Sequence, residues 1–261
     1  MSPRAKRQHG PSRIVLTAHK GGVGKTTAAV NLAAACAELG KRTLLGDVDP
    51  QGAATAALGV VPAQPSLYDV VMGDAEATDA IVASPTPNVD VLPADLDLAG
   101  ADITLPRLPQ WQTRLRDALA DAGATYDLVV LDSAPGLGVL PFATLVAGDA
   151  VLIAATPAYL TLRALGHVFD TVTQAQAFTP GLRTLGIVPS IVGSRTLHRD
   201  EALAELDKRW PGLRLPPLPR RVALEDAAAA GQPITTYAPK SSSAAAVRAL
   251  AQEVLDRATT V

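Results

Sequence analysis

The residues of this chain best suited to chemistry are gathered in one octapeptide, Lys20-Gly21-Gly22-Val23-Gly24-Lys25-Thr26-Thr27, and in two short runs that end in carboxylates. Glycines at 21, 22 and 24 leave successive backbone N–H groups unobstructed by a Cβ, so that they can turn together toward one anion. Lys25 then supplies a point charge for β and γ phosphates, and the Thr26 hydroxyl an oxygen ligand for Mg2+. The strict spacing G-x-x-x-x-G-K-[ST] fails at one position, because His19 stands five residues before Gly24 and a second lysine, Lys20, follows it. Nothing in the sequence pairs His19 with another metal ligand, and it reads as a bystander.

A loop that only cradles phosphate binds without reacting; metal and water need acids. Asp47-Val48-Asp49-Pro50-Gln51-Gly52 offers two. Strand alternation puts Asp47 and Asp49 on one side of a strand end, and Pro50 stops the strand there. The apolar run Leu128-Val129-Val130-Leu131 closes on Asp132, where it can hold Mg2+ through water.

These groups need elements to aim them. A phosphate cradle requires a strand before it and a helix after it, so that the helix N-terminus faces the anion. Ile14 to Ala18 is a short apolar run, and Thr26 to Leu39 reads as a helix closed by Gly40 in the C′ position. Further strand-like runs are Thr43 to Val48, Val89 to Leu92, Leu128 to Asp132, Ala150 to Ala155 and Leu185 to Ile191. Helical stretches include Arg114 to Ala122, closed by Gly123, and Ser243 to Ala258, with Val247, Leu250, Val254 and Leu255 at helical spacing. Strands alternating with helices predict an α/β fold: a single domain with a mostly parallel twisted sheet flanked by helices. Prolines 62, 65, 85, 87, 93, 106 and 109 mark a peripheral region of short elements, not a linker. Leu215 to Pro219 cannot be helical and is expected as a surface loop.

Composition narrows the function. The 261 residues suit one large domain, and a net charge of -2 confines any nucleic-acid contact to a local patch. Cys36 is the only cysteine, which excludes an intramolecular disulfide and a four-thiolate cluster within one chain; its setting reads as a buried helix position. Arg4, Lys6, Arg7 and Arg13 lie in an acid-free start with no apolar h-region. Residues 1–12 are therefore expected to form a disordered basic arm on a domain spanning 13–261. No run reaches the ~20 apolar residues of a membrane span, and the protein is expected to be cytoplasmic.

The octapeptide resembles the deviant Walker A motif, K-G-G-x-G-K-[ST]-T, of the ParA/MinD superfamily of P-loop ATPases. Asp47 to Gly52 resembles its switch I, D-x-D-P-Q-G. Leu128 to Asp132 has the Walker B arrangement, and Ser133 to Gly138 resembles switch II with Ala134 in place of a proline. Leu218-Pro219-Arg220-Arg221, then Asp226-Ala227, Gly231-Gln232-Pro233 and Tyr237-Ala238-Pro239-Lys240-Ser241, resemble the chromosome-partitioning ParA branch, whose pattern is I-P-R-N-x-x-x-x-E-A, G-x-P, Y-x-P-x-S. The resemblance covers almost the whole chain from Ile14 onward.

It implies a P-loop NTPase fold with ATP and Mg2+ as cofactors, and Mg2+-dependent hydrolysis of ATP to ADP and phosphate in an ATP-dependent homodimer. Lys20 would reach the partner's nucleotide in trans. Asp49 would position or activate water, and Asp47 would support the Mg2+ shell or share that role. Pro219 and Arg221 would contact adenine, Arg221 standing where Asn is usual. The ATP-bound dimer would bind double-stranded DNA non-specifically, with Arg195, Arg199, Arg220, Arg221 and Lys240 as candidates. With a ParB-type partner it would move chromosome or plasmid, cytoplasmic and nucleoid-associated. The alternative is a ParA-like ATPase that positions another cargo. A MinD-like membrane ATPase needs a basic amphipathic C-terminal helix, whereas the last eleven residues hold two acids and no aromatic. A nitrogenase iron protein needs two cluster thiolates, and a bacterial tyrosine kinase a terminal tyrosine cluster, whereas the last tyrosine is Tyr237. A dethiobiotin-synthetase-like enzyme leaves the 218–241 signature unexplained.

Overall fold

Strand β1 (Ser12–Thr17) carries Ile14, Val15 and Leu16 in succession, all with no exposed surface. A run apolar at every position is what a strand covered on both faces requires. A computed structural model describes residues 12–190, 197–220 and 222–259. The arm 1–11, Arg195 and Arg221 lie outside these residues, and Ser12, assigned to the arm above, opens β1.

The other strands are β2 (Thr43–Val48), β3 (Val82–Ala83), β4 (Val89–Leu92), β5 (Leu128–Ser133), β6 (Ala150–Ala155) and β7 (Arg183–Pro189), in the order β3-β4-β2-β5-β1-β6-β7. All pairings are parallel except β3 with β4. Alternation sorts the side chains into two cores. Ile14, Leu16, Leu45 and Val130 face one side of the sheet, and Val15, Leu44, Val129 and Leu131 the other. The expected single α/β domain with a mostly parallel sheet is therefore the observed one; β3, two residues at an edge, had no sequence signal.

Helix α1 (Lys25–Glu38) follows the phosphate loop, and its alanines 28, 29, 33, 34 and 35 are all buried. Such small side chains let α1 lie close between the sheet and the helix Ser242–Thr259. Gly40 (φ 81) ends it: Lys41 N–H donates to Cys36 O at 3.1 Å and Gly40 N–H to Ala37 O at 3.0 Å, the paired bonds of a Schellman motif. Cys36 is buried and burial pushes its thiol up to about 12, as suits an inert core position. Asn31 on α1 accepts from Ile234 N–H at 2.8 Å and so ties the C-terminal segment to the loop helix.

Three expectations are corrected. The helix Arg114–Gly123 includes Gly123 and is capped by Ala124. Within 60–110, Leu67, Val70, Leu98, Ala101 and Leu105 are buried in the same core as Val15, and Arg114 donates to the carbonyl oxygens of Val71 and Met72 beside them. Leu215 to Pro219 is not a free surface loop. Leu215 N–H donates to Ile187 O at 2.9 Å and Leu218 N–H to Pro189 O at 2.8 Å, with both leucines buried. The segment runs along the outer edge of β7; Pro216 and Pro217 lack donors, and the bonding falls to the flanking leucines. Among the described residues no helix is long and apolar enough to cross a membrane.

Gly231, in the G-x-P segment, meets Gly59 back to back. Both have φ +66, and a Cβ on Gly231 would come within 2.9 Å of Gly59 Cα. Gly231→Ala is expected to cost about 2 kcal/mol, measured by the urea midpoint at unchanged m-value.

Candidate active site

Thr17 ends β1, and the chain then turns through Gly22 (φ 74) and Gly24 (φ 81), left-handed conformations that glycine adopts without Cβ strain. Gly24 is also the N-cap of α1, so the loop N–H groups and the helix N-terminus share one opening. Val23 is the loop's anchor. Its side chain packs with Ala18 and Ala154, and its carbonyl accepts the Ser190 hydroxyl.

Two adjoining cavities meet at this loop. One, of about 210 Å³, is lined by Lys20, Gly21, Lys25, Thr26, Asp49 and Pro135. The other, of about 520 Å³, is lined by Thr156, Ser190, Leu218, Pro219, Leu224 and Glu225, with Arg220 at its wall. Gly22, Gly24 and Thr27 line both. The smaller compartment presents N–H groups, ammonium groups and an acid; the larger has apolar walls with a few polar groups and a size suited to a planar organic ring.

The two lysines of the octapeptide occupy opposite environments. Lys20 is exposed at the mouth. Lys25 is buried and its Nζ lies 2.6 Å from Asp132 Oδ1, with side-chain exposures of 7% and 0%. Burial pushes the Asp132 carboxyl above the ordinary range, against the Lys25 charge and hydrogen bonds from Lys25 and Thr26, while Asp49 pushes it further up. Among the described residues its second oxygen, Oδ2, is buried without a hydrogen-bond partner. An orphaned carboxylate oxygen beside a threonine hydroxyl fits a hard cation that keeps most of its own waters, such as Mg2+.

An AAA domain model matches residues 12–182. The chain is 41% identical to the chromosome-partitioning ATPase Soj of Thermus thermophilus, over 94% of this chain and 96% of that protein. It is 38% identical to the sporulation initiation inhibitor protein Soj of Bacillus subtilis, over 92% and 97%. The chain belongs to the ParA-type family of partitioning ATPases. Among solved structures, cobyrinic acid a,c-diamide synthase of Mycobacterium smegmatis, with bound ATP analog and magnesium, matches with a TM-score of 0.83 at 34% identity and 96% of each chain covered.

The two acids of the D-x-D-P-Q-G run of this ParA-type chain are separated by depth. Asp49 lines the smaller cavity, and its Oδ1 accepts from Gln51 N–H at 3.1 Å. Asp47 lies behind it with no exposed surface, opposite Asp132 in the β2–β5 register. Asp47 Oδ2 accepts from the Thr55 N–H and hydroxyl, both at 2.8 Å, and Oδ1 from Asp49 N–H at 3.3 Å. Burial, then the Asp132 charge, pushes the Asp47 carboxyl up to about 6, against the bonds from Thr55 and Asp49. Its contribution to the stability of the nucleotide-free protein is thus complete below about pH 4 and is lost as pH rises through about 6.

The remaining sequence candidates are dispersed. Pro219 lines the larger cavity and so does Arg220, which the sequence assigned to DNA. Arg199 pairs with Asp200 at 2.8 Å on the helix Leu197–Arg209, and Lys240 is exposed. His19 Nδ1 is buried without a partner among the described residues, with its ring 6.3 Å from that of His167. Sequence reasoning missed Thr55, Ser190, Thr156 and Glu225. Each is a common polar residue whose place follows from a distant segment, and no local spacing marks it.

Lys25→Ala leaves Asp132 buried without its cation and should lower the stability of the nucleotide-free protein by about 3 kcal/mol. Lys20→Ala, at an exposed position, should change it by less than about 0.5 kcal/mol. Urea melts of both variants without nucleotide measure the contrast, and equal losses would contradict this assignment.

Proposed function

We propose that this partitioning ATPase hydrolyses ATP with Mg2+, dimerises when ATP is bound, binds double-stranded DNA non-specifically as the dimer, and drives chromosome or plasmid segregation with a ParB-type partner. The observation that carries this reading is the unequal burial of the two loop lysines. Lys25 sits inside with Asp132 and is positioned to serve the chain's own phosphates, while Lys20 lies exposed at the cavity mouth, free to serve the triphosphate of a second subunit.

Within one subunit the loop N–H groups and Lys25 would bind and orient the phosphates, and the apolar wall at Leu218 and Pro219 would take the base. Thr26 and Asp132 would hold Mg2+, with Asp47 behind them, and the ion would neutralise phosphate charge. Asp49, the acid at the cavity, would orient the attacking water or take its proton. Arg221 completes the nucleotide contacts in this proposal. Arg195, Arg199, Arg220, Arg221 and Lys240 are the DNA candidates; a chain of net charge -2 must bind DNA by local phosphate neutralisation without base reading. The working location is the cytoplasm, on the nucleoid.

A MinD-like attachment to membrane is disfavoured by packing. The helix Ser242–Thr259 buries Val247, Leu250 and Val254 in the core beside α1, so its apolar face is already used and is not available to lipid.

With ATP and Mg2+, light scattering should find the parent chain dimeric and Lys20→Ala monomeric while nucleotide binding persists; a normal Lys20→Ala dimer rejects the trans role. A DNA gel shift should require ATP, fail with ADP, and weaken in the Arg220→Ala, Arg221→Ala double variant. Its log-log salt slope should be about -4, for four to five neutralised phosphates. A flat salt response rejects phosphate neutralisation.

A further inference from the structure

The two oxygens of Asp47 are spent on the chain that carries Asp49. Oδ2 holds both the backbone N–H and the hydroxyl of Thr55, and Oδ1 holds the N–H of Asp49. The Thr55 hydroxyl gives its proton to Asp47 and accepts from Ala94 N–H at 3.2 Å, just past the end of β4. Thr55 is 1% exposed and Asp47 is fully buried, so solvent has little access to these bonds. The segment they brace has little rigidity of its own. Asp49 bends into a turn closed by Gly52 N–H at 2.9 Å, Gly52 is left-handed (φ 62), and the helix that follows, α2 (Ala53–Ala57), has only five residues. A helix that short does not hold itself, and its direction must come from tertiary bonds.

We infer that Thr55 is a positioning residue for hydrolysis, which orients Asp47 and through it fixes the loop that presents Asp49 to the phosphate cavity. The inference rests on the reading of Asp49 as the acid that handles water. A hydroxyl with one proton and two fixed partners admits one rotamer, that rotamer fixes the Asp47 carboxylate, and the carboxylate fixes the Asp49 backbone. Asp47 is fully engaged in this way and does not line the cavity, whereas Asp49 does. Valine has nearly the shape of threonine but leaves Ala94 N–H without its acceptor and Asp47 with one donor fewer.

The test uses the full chain with Mg2+, steady-state ATP hydrolysis, and equilibrium binding of a fluorescent ADP. Thr55→Val should lower kcat about tenfold, with ADP affinity within about twofold of the parent. Thr55→Ser, which keeps the hydroxyl, should stay within about twofold on both measures. In an Asp49→Ala background, Thr55→Val should slow turnover by less than about twofold more, because both changes act through one group. The inference is overturned if Thr55→Val turns over like the parent, if it loses ADP binding as much as turnover, or if Thr55→Ser is as slow as Thr55→Val. Should Thr55→Val not fold, Thr55→Ala must show the same selective loss of kcat; if neither folds, the hydroxyl serves stability alone and the inference is wrong. Slow Asp49→Ala with normal Thr55→Val sinks only this inference, whereas normal turnover in Asp49→Ala sinks the reading of Asp49 itself.

Discussion

Lys25 and Asp132 lie 107 residues apart in sequence and meet at 2.6 Å at the inner wall of the smaller cavity, nearly out of reach of solvent. Taking either charge out of water alone costs several kcal/mol, and the pair is tolerable only because each compensates the other. The geometry that allows this is exacting. β1 and β5 must be neighbours, the loop must turn back through left-handed glycines, and α1 must begin at Lys25. Leu16 beside Asp132 in the β1–β5 register shows how the ladder itself sets the approach. In the proposed function, bound phosphate would use the same arrangement, offering Lys25 a second anion while Asp132 Oδ2 has no hydrogen-bond partner among the described residues.

Depth then divides the acids. Asp49 lies at the cavity; Asp47 and Asp132, adjacent across β2 and β5, are too deep to be solvated, and burial raises the affinity of both for protons, with the Asp132 charge adding to it at Asp47 and the Asp49 charge at Asp132. Two carboxylates side by side in a buried ladder are costly unless donors surround them. Thr55 and the Asp49 backbone supply these donors to Asp47, and Lys25 and Thr26 supply them to Asp132. The cost of buried charge thus holds the switch loop, the phosphate loop and the second acidic strand in one polar network.

The larger cavity is assembled by another economy. Pro216 and Pro217 end any prospect of a further strand, yet the flanking leucines bond to β7 and cover its edge, which would otherwise be open for pairing. The same segment brings Leu218 and Pro219 over the loop glycines, beside Thr156 and Ser190 from the ends of β6 and β7. A protected sheet edge and an apolar wall for a ring are one structure. Arg220 stands at that wall, so under the proposed function its charge would lie close to the nucleotide as well as to any polyanion outside.

What the sequence determined alone is what contiguous residues decide among themselves. The octapeptide, the D-x-D-P-Q-G run and the apolar strands that precede acids were legible because glycine spacing, strand period and helix caps are local rules. They led to the parallel α/β sheet, the ParA-type family and the glycine-rich loop with its two lysines. The tertiary structure alone decided which lysine is buried, that Asp47 faces Thr55 while Asp49 faces the cavity, that the proline segment is an edge cover, and that the short elements of 60–110 belong to the core. Each of these is a choice of partner for a buried charge, a hydroxyl or an unpaired backbone group. Such a choice is made by the cost of leaving water, and it depends on segments brought together from far along the chain, which no local pattern encodes.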